Sequence, residues 1–350
     1  MSKSVMVAMS GGVDSSVAAL LLKNNGYSVT GVTMVLDTPD HTGKTPSRCG
    51  PAAVNDARRV CDKLDIPHSV MDFSQQLEQY VVKDFIVEYA RGRTPNPCVR
   101  CNRYLKFDIL LEKARGAGCD FLATGHYAAQ GDYNGARVLR RPKDRTKDQT
   151  YFLYGIKKEF LQWVVFPLAG MVKSEVRSLA AAGGLPVSGK EESQDICFVT
   201  RGSYRDFPGF SLQTPGDIVD RAGNVLGRHT GIGNYTVGQR KGLGIATGTP
   251  CYVVRLDLNS NTVIVGRKED LYAGGLLAKQ VTMFTDAIPG RVSAQIRYAH
   301  RPAPCRVYEK HGGAEVIFDT PQEAITPGQS VVFSDNDYIL GGGIIERAIQ

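Results

Sequence analysis

The 350-residue sequence has no apolar run near the length of a membrane span, and its first nine residues lack the charged-then-apolar layout of a secretory leader. The expectation is a cytoplasmic protein without membrane association, its thiols reduced at rest. Eight cysteines at irregular spacing make no disulfide framework. A single C-x-x-C, Cys98 to Cys101, has neither the second pair nor the two histidines at ligand spacing that structural zinc requires, and it lacks thioredoxin-like flanks. No internal repeat or low-complexity tract occurs. With 42% hydrophobic and 22% charged residues, the chain has the composition of two or three ordinary globular domains.

What is present begins at the N-terminus. Ser10-Gly11-Gly12-Val13-Asp14-Ser15-Ser16 joins a short apolar strand, Val5 to Ala8, to a helix whose apolar stripe reads as Val17, Leu20 and Leu21. Two glycines let backbone approach an anion, and the helix start aims unsatisfied N–H groups into the loop, so the stretch reads as a phosphate cradle. It carries neither G-x-x-x-x-G-K-[ST] nor G-x-G-x-x-G, which excludes the lysine-bearing triphosphate loop and the dinucleotide fingerprint. The stretch S-G-G-V-D-S-S resembles the pyrophosphate loop of the ATP pyrophosphatases, a broad family that splits ATP between its α and β phosphates.

Beyond the loop, strands and helices alternate as far as Thr124: Ser28 to Leu36, a helix Ala52 to Leu64, His68 to Asp72, helices Gln75 to Tyr89 and Leu105 to Ala117, then Asp120 to Thr124. That rhythm predicts a doubly wound α/β domain with a parallel sheet and ligands at the carboxyl ends of its strands. Met34 and Gly125 then close strands beside the loop. Gly125 would let an adenine lie against the backbone, and Met34 is either an adenine contact or core. A further helix is expected over Lys173 to Ala182. After Cys197 short β-rich runs take over. Hairpins at Asp217 to Gly227 and Tyr252 to Gly266 make a small central domain, and the runs from about Leu276 onward an antiparallel barrel or sandwich, with Cys251 and Cys305 as core. The expected domains are 1–203, 204–272 and 273–350.

Two polar stretches, Asp37 to Pro51 and Arg91 to Pro97, read as loops over the site, and the first is expected to move. The second leads into Cys98-Val-Arg-Cys101-Asn-Arg, where Cys101 precedes the helix expected from Leu105; there a thiol beside Arg100 and Arg103 should gain thiolate character. Cys197, after Ser193-Gln194-Asp195, is either a buried inert thiol or a thiol at a strand end opening on a site. Basic residues gather at Arg137, Arg140, Arg141, Lys143, Arg145 and Lys147, and the net charge is +7. Such a run is a solvated face or a polyanion site.

Taken in order, the loop, Asn96-Pro97-Cys98-Val-Arg-Cys101-Asn102, Gly125-His126-Tyr127, Lys147-Asp148-Gln149, Ser193 to Cys197, the Gly-rich 231–244 stretch and Arg297-Tyr298 resemble the tRNA 2-thiouridylases of bacteria and mitochondria over nearly the whole chain. The resemblance implies an adenine nucleotide alpha hydrolase-like domain and a sulfurtransferase. It would replace the C2 oxygen of the tRNA wobble uridine by sulfur, using ATP and Mg2+. It implies ATP contacts at Ala8, Met9, Ser10, Gly11, Gly12, Val13, Asp14, Ser15, Met34 and Gly125. Asn96, Pro97, Cys98 and His126 would lie near the target base, with Lys147, Asp148, Gln149, Arg297, Tyr298 and Gln329 also on tRNA. Cys197 would carry a persulfide and Cys101 would free its sulfur through a transient disulfide, which calls for closure of the 91–102 segment over the tRNA anticodon region.

Many relatives carry Asp where this chain has Cys98. Cys98, Cys101 and Cys197 are therefore also a ligand set for an iron–sulfur cluster, the alternative sulfur route. The implied partners are tRNA and a sulfur-donor protein, a cysteine desulfurase or relay protein, with the enzyme itself a monomer. An amidating ATP pyrophosphatase like GMP synthetase, or a non-catalytic RNA-binding protein with a nucleotide fold, are the alternative readings.

Overall fold

The computed structural model describes residues 2–36, 50–191 and 214–350. Of these, residues 2–81, 97–191 and 337–339 form one compact unit, and 82–96, 214–336 and 340–350 form a second.

The first unit is built on five parallel strands. They are β1 Ser4–Ala8, β2 Ser28–Val35, β3 His68–Asp72, β4 Phe121–Thr124 and the short β7 Val164–Val165, in the order β3-β2-β1-β4-β7. From β1 the chain winds outward through β2 and β3, then returns to lay β4 on the other side of β1. The strand order therefore reverses between β1 and β4, and the crevice beyond their carboxyl ends is where open α/β sheets hold ligands. Helices α1 Val13–Asn24 and α2 Pro51–Lys63 cover the sheet. Val5, Val7 and Met9 pack with Val17, Ala18, Leu22, Ala57 and Val60 in the core, and Gly31 admits the buried Cys61, whose thiol burial pushes up to about 11. Leu20 and Leu21 are only partly buried; α1 turns Val13, Val17, Ala18, Ala19 and Leu22 inward instead.

Two differences from the sequence expectation bear on the site. The helix expected from Leu105 starts at Pro97 and runs through Pro97–Arg100, Cys101–Leu110 and Leu111–Gly116, the middle stretch wound as a π-helix. Proline suits a first helical position because its φ is preset and its missing N–H would be unsatisfied there anyway. Cys101 accordingly lies a full turn inside the helix. The second difference is an antiparallel hairpin, β5 Ala129–Tyr133 and β6 Ala136–Arg140, within the stretch read as a basic segment. Asn134 and Gly135, with φ of 52° and 82°, make its turn, and Val138 and Leu139 are buried. The arginines and lysine that follow meet carboxylates of their own unit: Arg140 and Arg145 face Asp337, Arg141 faces Asp148, and Lys143 faces Glu175. Much of that positive charge is thus neutralised internally.

In the second unit, β8 Gly216–Val219, β9 Val225–His229, β10 Tyr252–Asp257 and β11 Thr262–Gly266 form a sheet in the order β10-β11-β8-β9 over Ile218, Tyr235, Val253, Val263 and Val265. A closed barrel follows. Its strands are β12 Tyr272–Met283, β13 Val292–Gln295, β14 Ala303–Lys310, β15 Gly313–Glu323, β16 Ser330–Asp335 and β17 Tyr338–Ile349, in the order β12-β15-β14-β13-β16-β17. Closure comes from β12, which pairs with both β15 and β17 and so leaves no edge. Cys305 is buried in it, its thiol pushed up to about 12 by loss of water and by Asp319, and Cys251, half-buried at the foot of β10, packs against the edge of the central sheet's core.

The expected loop ahead of the C-x-x-C is built rather than loose. Arg93 is ion-paired with Glu88 at 2.7 Å, both side chains nearly buried, and donates to the Ile345 carbonyl. The Thr94 N–H donates to the Pro327 carbonyl, and Gln329 donates to the Thr94 carbonyl at 2.9 Å. Arg93 and Thr94 are thus held by contacts within their own unit, and residues 97–102 are helix.

Candidate active site

The loop between β1 and α1 is folded by its own hydroxyls. Ser10 N–H donates to Ser15 Oγ at 3.2 Å, and Ser16 Oγ donates to the Gly12 carbonyl at 2.7 Å. Gly11 has φ of +69°, and a Cβ there would meet the Ala53 carbonyl oxygen at 2.5 Å. Gly12 precedes α1 in extended conformation and offers no side-chain cap, so the first N–H groups of the helix face the loop mouth. Gly125, one residue past β4, presses on this helix start: a Cβ would lie 2.6 Å from Ser15 N. Ala8, Met9, Ser10, Gly11, Gly12, Val13, Asp14, Ser15 and Gly125 therefore lie together at the switch point. Met34 is half-buried near the end of β2, in register with Met71 of β3.

Asp14 has partners that sequence spacing does not reveal. Lys173 Nζ donates to Asp14 Oδ1 at 2.6 Å, and the Tyr127 hydroxyl donates to the same oxygen at 3.0 Å. Lys173 opens the helix Lys173–Ala182, and its own N–H is held at 2.9 Å by Asp144 Oδ2. Burial works against the Asp144 charge, but donors from Thr146, Lys147 and Lys173 outweigh it and hold its carboxyl below the usual range. A second lysine, Lys190, donates to the Gly11 carbonyl at 2.9 Å and to Asp56 at 2.7 Å. The hint in the sequence was negative: a phosphate loop without a lysine leaves its cations to come from elsewhere.

His126 follows Gly125 and leads to the cysteines. Its Nδ1 shares a 2.8 Å hydrogen bond with Thr124 Oγ1, and its ring centroid is 6.0 Å from that of Phe107. On the same helix Lys106 donates to Asn102 Oδ1 at 2.8 Å, and Asn102 donates to the Phe152 carbonyl at 3.0 Å. Cys98 and Cys101 lie three apart on this helix, and both are half-buried. Arg100 and Arg103 lie over the Tyr104 ring, which is stacked on Tyr80. Asn96 is half-buried and Pro97 buried at the helix start.

Burial, with the charge of Lys106 adding to it, holds the His126 pKa well below its ordinary 6.5, so the ring is neutral at physiological pH. As pH falls below 6.5 the unfolded chain takes up a proton that the folded chain refuses, and stability declines toward the folded pKa. The unfolding free energies of wild type and His126→Asn should accordingly differ by a constant amount above that pH and by less below it. A difference equally flat on both sides, measured by urea unfolding, would contradict this.

The other sequence-derived contacts have structural work within their own units. Asp148 accepts from Thr150 N–H and from Arg141, and Gln149 Oε1 accepts from Tyr127 N–H at 2.9 Å, so this stretch fixes the tyrosine that meets Asp14; Lys147 is half-buried beside it. In the second unit the buried Gln295 donates to the carbonyls of Arg297 and Tyr298, and Tyr298 is 45% exposed. Gln329 ties down Thr94. Cys197 and Ser193-Gln194-Asp195 lie outside the described residues, as does 37–49 of the first expected loop. Among the described residues no group of three or more His, Cys, Asp or Glu could hold a metal, so Cys98 and Cys101 alone do not make a cluster site. No helix among them is long and apolar enough to cross a membrane.

Fold and loop together define a nucleotide-binding α/β domain followed by a small four-stranded β module and a closed β-barrel. Family models agree in layout: residues 3–201 match the tRNA methyl transferase HUP domain, 210–267 the tRNA methyl transferase PRC-barrel domain and 273–345 the aminomethyltransferase β-barrel domain. Relatives named tRNA-specific 2-thiouridylase MnmA include one from Syntrophus aciditrophicus, 50% identical over 99% of this chain and 94% of its own. A second, from Moorella thermoacetica, is 50% identical over 99% of this chain and 100% of its own, and a third, from Geotalea uraniireducens, is 48% identical over 99% and 96%. The chain belongs to the tRNA-specific 2-thiouridylase family.

Proposed function

We propose that this chain is a tRNA sulfurtransferase that uses ATP to replace the C2 oxygen of the wobble uridine by sulfur, acting as a cytoplasmic monomer on the anticodon region. The observation that carries the reading is the join between a pyrophosphate-type loop and a dithiol helix: Gly125 packs on the start of α1, and the next residue, His126, meets Phe107 of the helix that bears Cys98 and Cys101.

The chemistry then runs in two stages. A carbonyl oxygen at C2 is a poor leaving group, so it attacks the α-phosphorus of ATP; pyrophosphate departs from the loop, whose N–H groups stabilise the growing charge, and Mg2+ accompanies the phosphates. In the second stage the Cys101 thiolate attacks Sγ of a Cys197 persulfide. The persulfide S–S bond breaks, its outer sulfur leaves as hydrosulfide with the electron pair, and a Cys101–Cys197 disulfide forms. Hydrosulfide adds at C2 and AMP leaves with the oxygen. A thiol reductant restores both cysteines, and a sulfur-donor protein reloads Cys197. Neutral His126, near the base, donates or accepts one hydrogen bond without bringing a charge. Arg297 and Tyr298 are taken as contacts to the tRNA backbone. With only Cys98 and Cys101 of the alternative ligand set in the described residues, no step is routed through a cluster.

The nucleotide products test the first stage. Incubation with uridine-bearing tRNA should yield AMP and pyrophosphate, with little turnover when tRNA is left out. ADP and orthophosphate as products would overturn the reading.

A further inference from the structure

The loop at the switch point contains no lysine, yet a departing pyrophosphate carries several negative charges, and helix N–H groups offer only partial ones. Two lysines from far along the chain converge on it. Lys173 Nζ reaches Asp14 at the second position of α1, and its side chain is only 12% exposed. An ammonium so covered is costly without a counter-charge, and Asp14 supplies it. Lys190 Nζ holds the Gly11 carbonyl and Asp56. The Asp144 carboxylate and the Tyr127 hydroxyl fix the two ends of the Lys173–Asp14 pair.

From this placement we infer that Lys173 and Lys190 are the phosphate-binding cations of the site, and that Asp14 is the resting counter-ion of Lys173. An arriving phosphate takes over Lys173 from Asp14, so that full positive charge meets the β and γ phosphates while the α1 N–H groups hold them from the other side. The lysine that other phosphate loops carry inside the motif is here delivered by the end of the same domain. This assignment rests on the nucleotide reading above and names which side chains carry it out.

Calorimetric titration of the full chain separates the two. Inorganic pyrophosphate probes the phosphate subsite and adenosine the rest of the nucleotide site. Wild type that binds neither overturns the nucleotide reading itself. Given wild-type binding of both, Lys173→Met and Lys190→Met should each weaken pyrophosphate by about tenfold or more, the loss of one charge-assisted hydrogen bond, with adenosine affinity changed by less than about twofold. Lys173→Met could unsettle the fold by leaving Asp14 unpaired, so the charge-neutral pair Asp14→Asn with Lys173→Met is measured beside it and should show the same selective loss. Asp14→Asn alone, titrated without divalent metal, should bind pyrophosphate as tightly as wild type or more tightly. Unchanged pyrophosphate affinity in both lysine variants, or an equal loss for adenosine, would overturn the assignment.

Discussion

Cys101→Ser should abolish sulfur transfer, by about a thousandfold or more, while tRNA binding and the consumption of ATP to AMP and pyrophosphate change little. The reason is a separation of duties along one helix. The thiols occupy its first turns, whereas the contacts that lead toward the phosphate loop, Lys106 and Phe107, lie farther along it. A serine hydroxyl is nearly isosteric with the half-buried thiol, so packing is preserved, but it cannot attack a persulfide sulfur at neutral pH. Cys197→Ser should have the same effect, since it removes the proposed carrier. Cys98→Asp distinguishes the routes: a persulfide mechanism retains appreciable activity, because Cys98 handles no sulfur in it, whereas a cluster mechanism loses iron and activity together. Thiolation assays, with AMP release as the internal control, check these outcomes. A Cys101→Ser protein that still thiolates tRNA would remove Cys101 from the reaction.

The second large effect concerns glycines that hold the loop to the sheet. Gly11→Ala meets two penalties, a left-handed backbone that a side chain resists by roughly 1–2 kcal/mol and a Cβ driven against the Ala53 carbonyl, an overpacking of about 1–3 kcal/mol. The expected loss of unfolding free energy is about 2–5 kcal/mol. Gly125→Ala carries only the steric penalty, yet the atoms it meets are Ser15 N and Asp14 C, backbone of the helix start itself. Its main effect should be a loss of ATP affinity larger than its loss of stability. Gly118→Ala is the control, since that residue has φ of +80° with nothing within 4 Å of the added carbon and should pay the backbone penalty alone. Urea unfolding beside ATP titration separates the three.

How much of this was legible in the sequence depended on whether the signal was local. The β1–loop–α1 unit was plain because a short apolar strand, two glycines and a helical pattern are contiguous, and the barrel followed from short β-rich runs between turns. The start at Pro97 was marked by the proline itself, but the polar and basic residues after it carry no apolar period until Leu105, and the helix was read from there. Asn134-Gly135 is a strong hairpin turn; the arginines around it drew the reading toward a solvated basic face, and only the fold shows Asp337, Asp148 and Glu175 opposite them. Lys173 and Asp14 lie 159 residues apart, a partnership that no spacing rule reaches. The same holds for Gln329 and Thr94, which read as a tRNA contact and a loop residue and are joined by a hydrogen bond across 235 positions.

Mass analysis of nucleosides from tRNA incubated with the protein, Mg·ATP, a sulfur source and a thiol reductant tests the central claim most directly. The account expects 2-thiouridine at the wobble position, formed only with ATP and in step with AMP release. Uridine left unmodified while ATP is consumed, or modified by a methyl group or by nitrogen in place of sulfur, would contradict it.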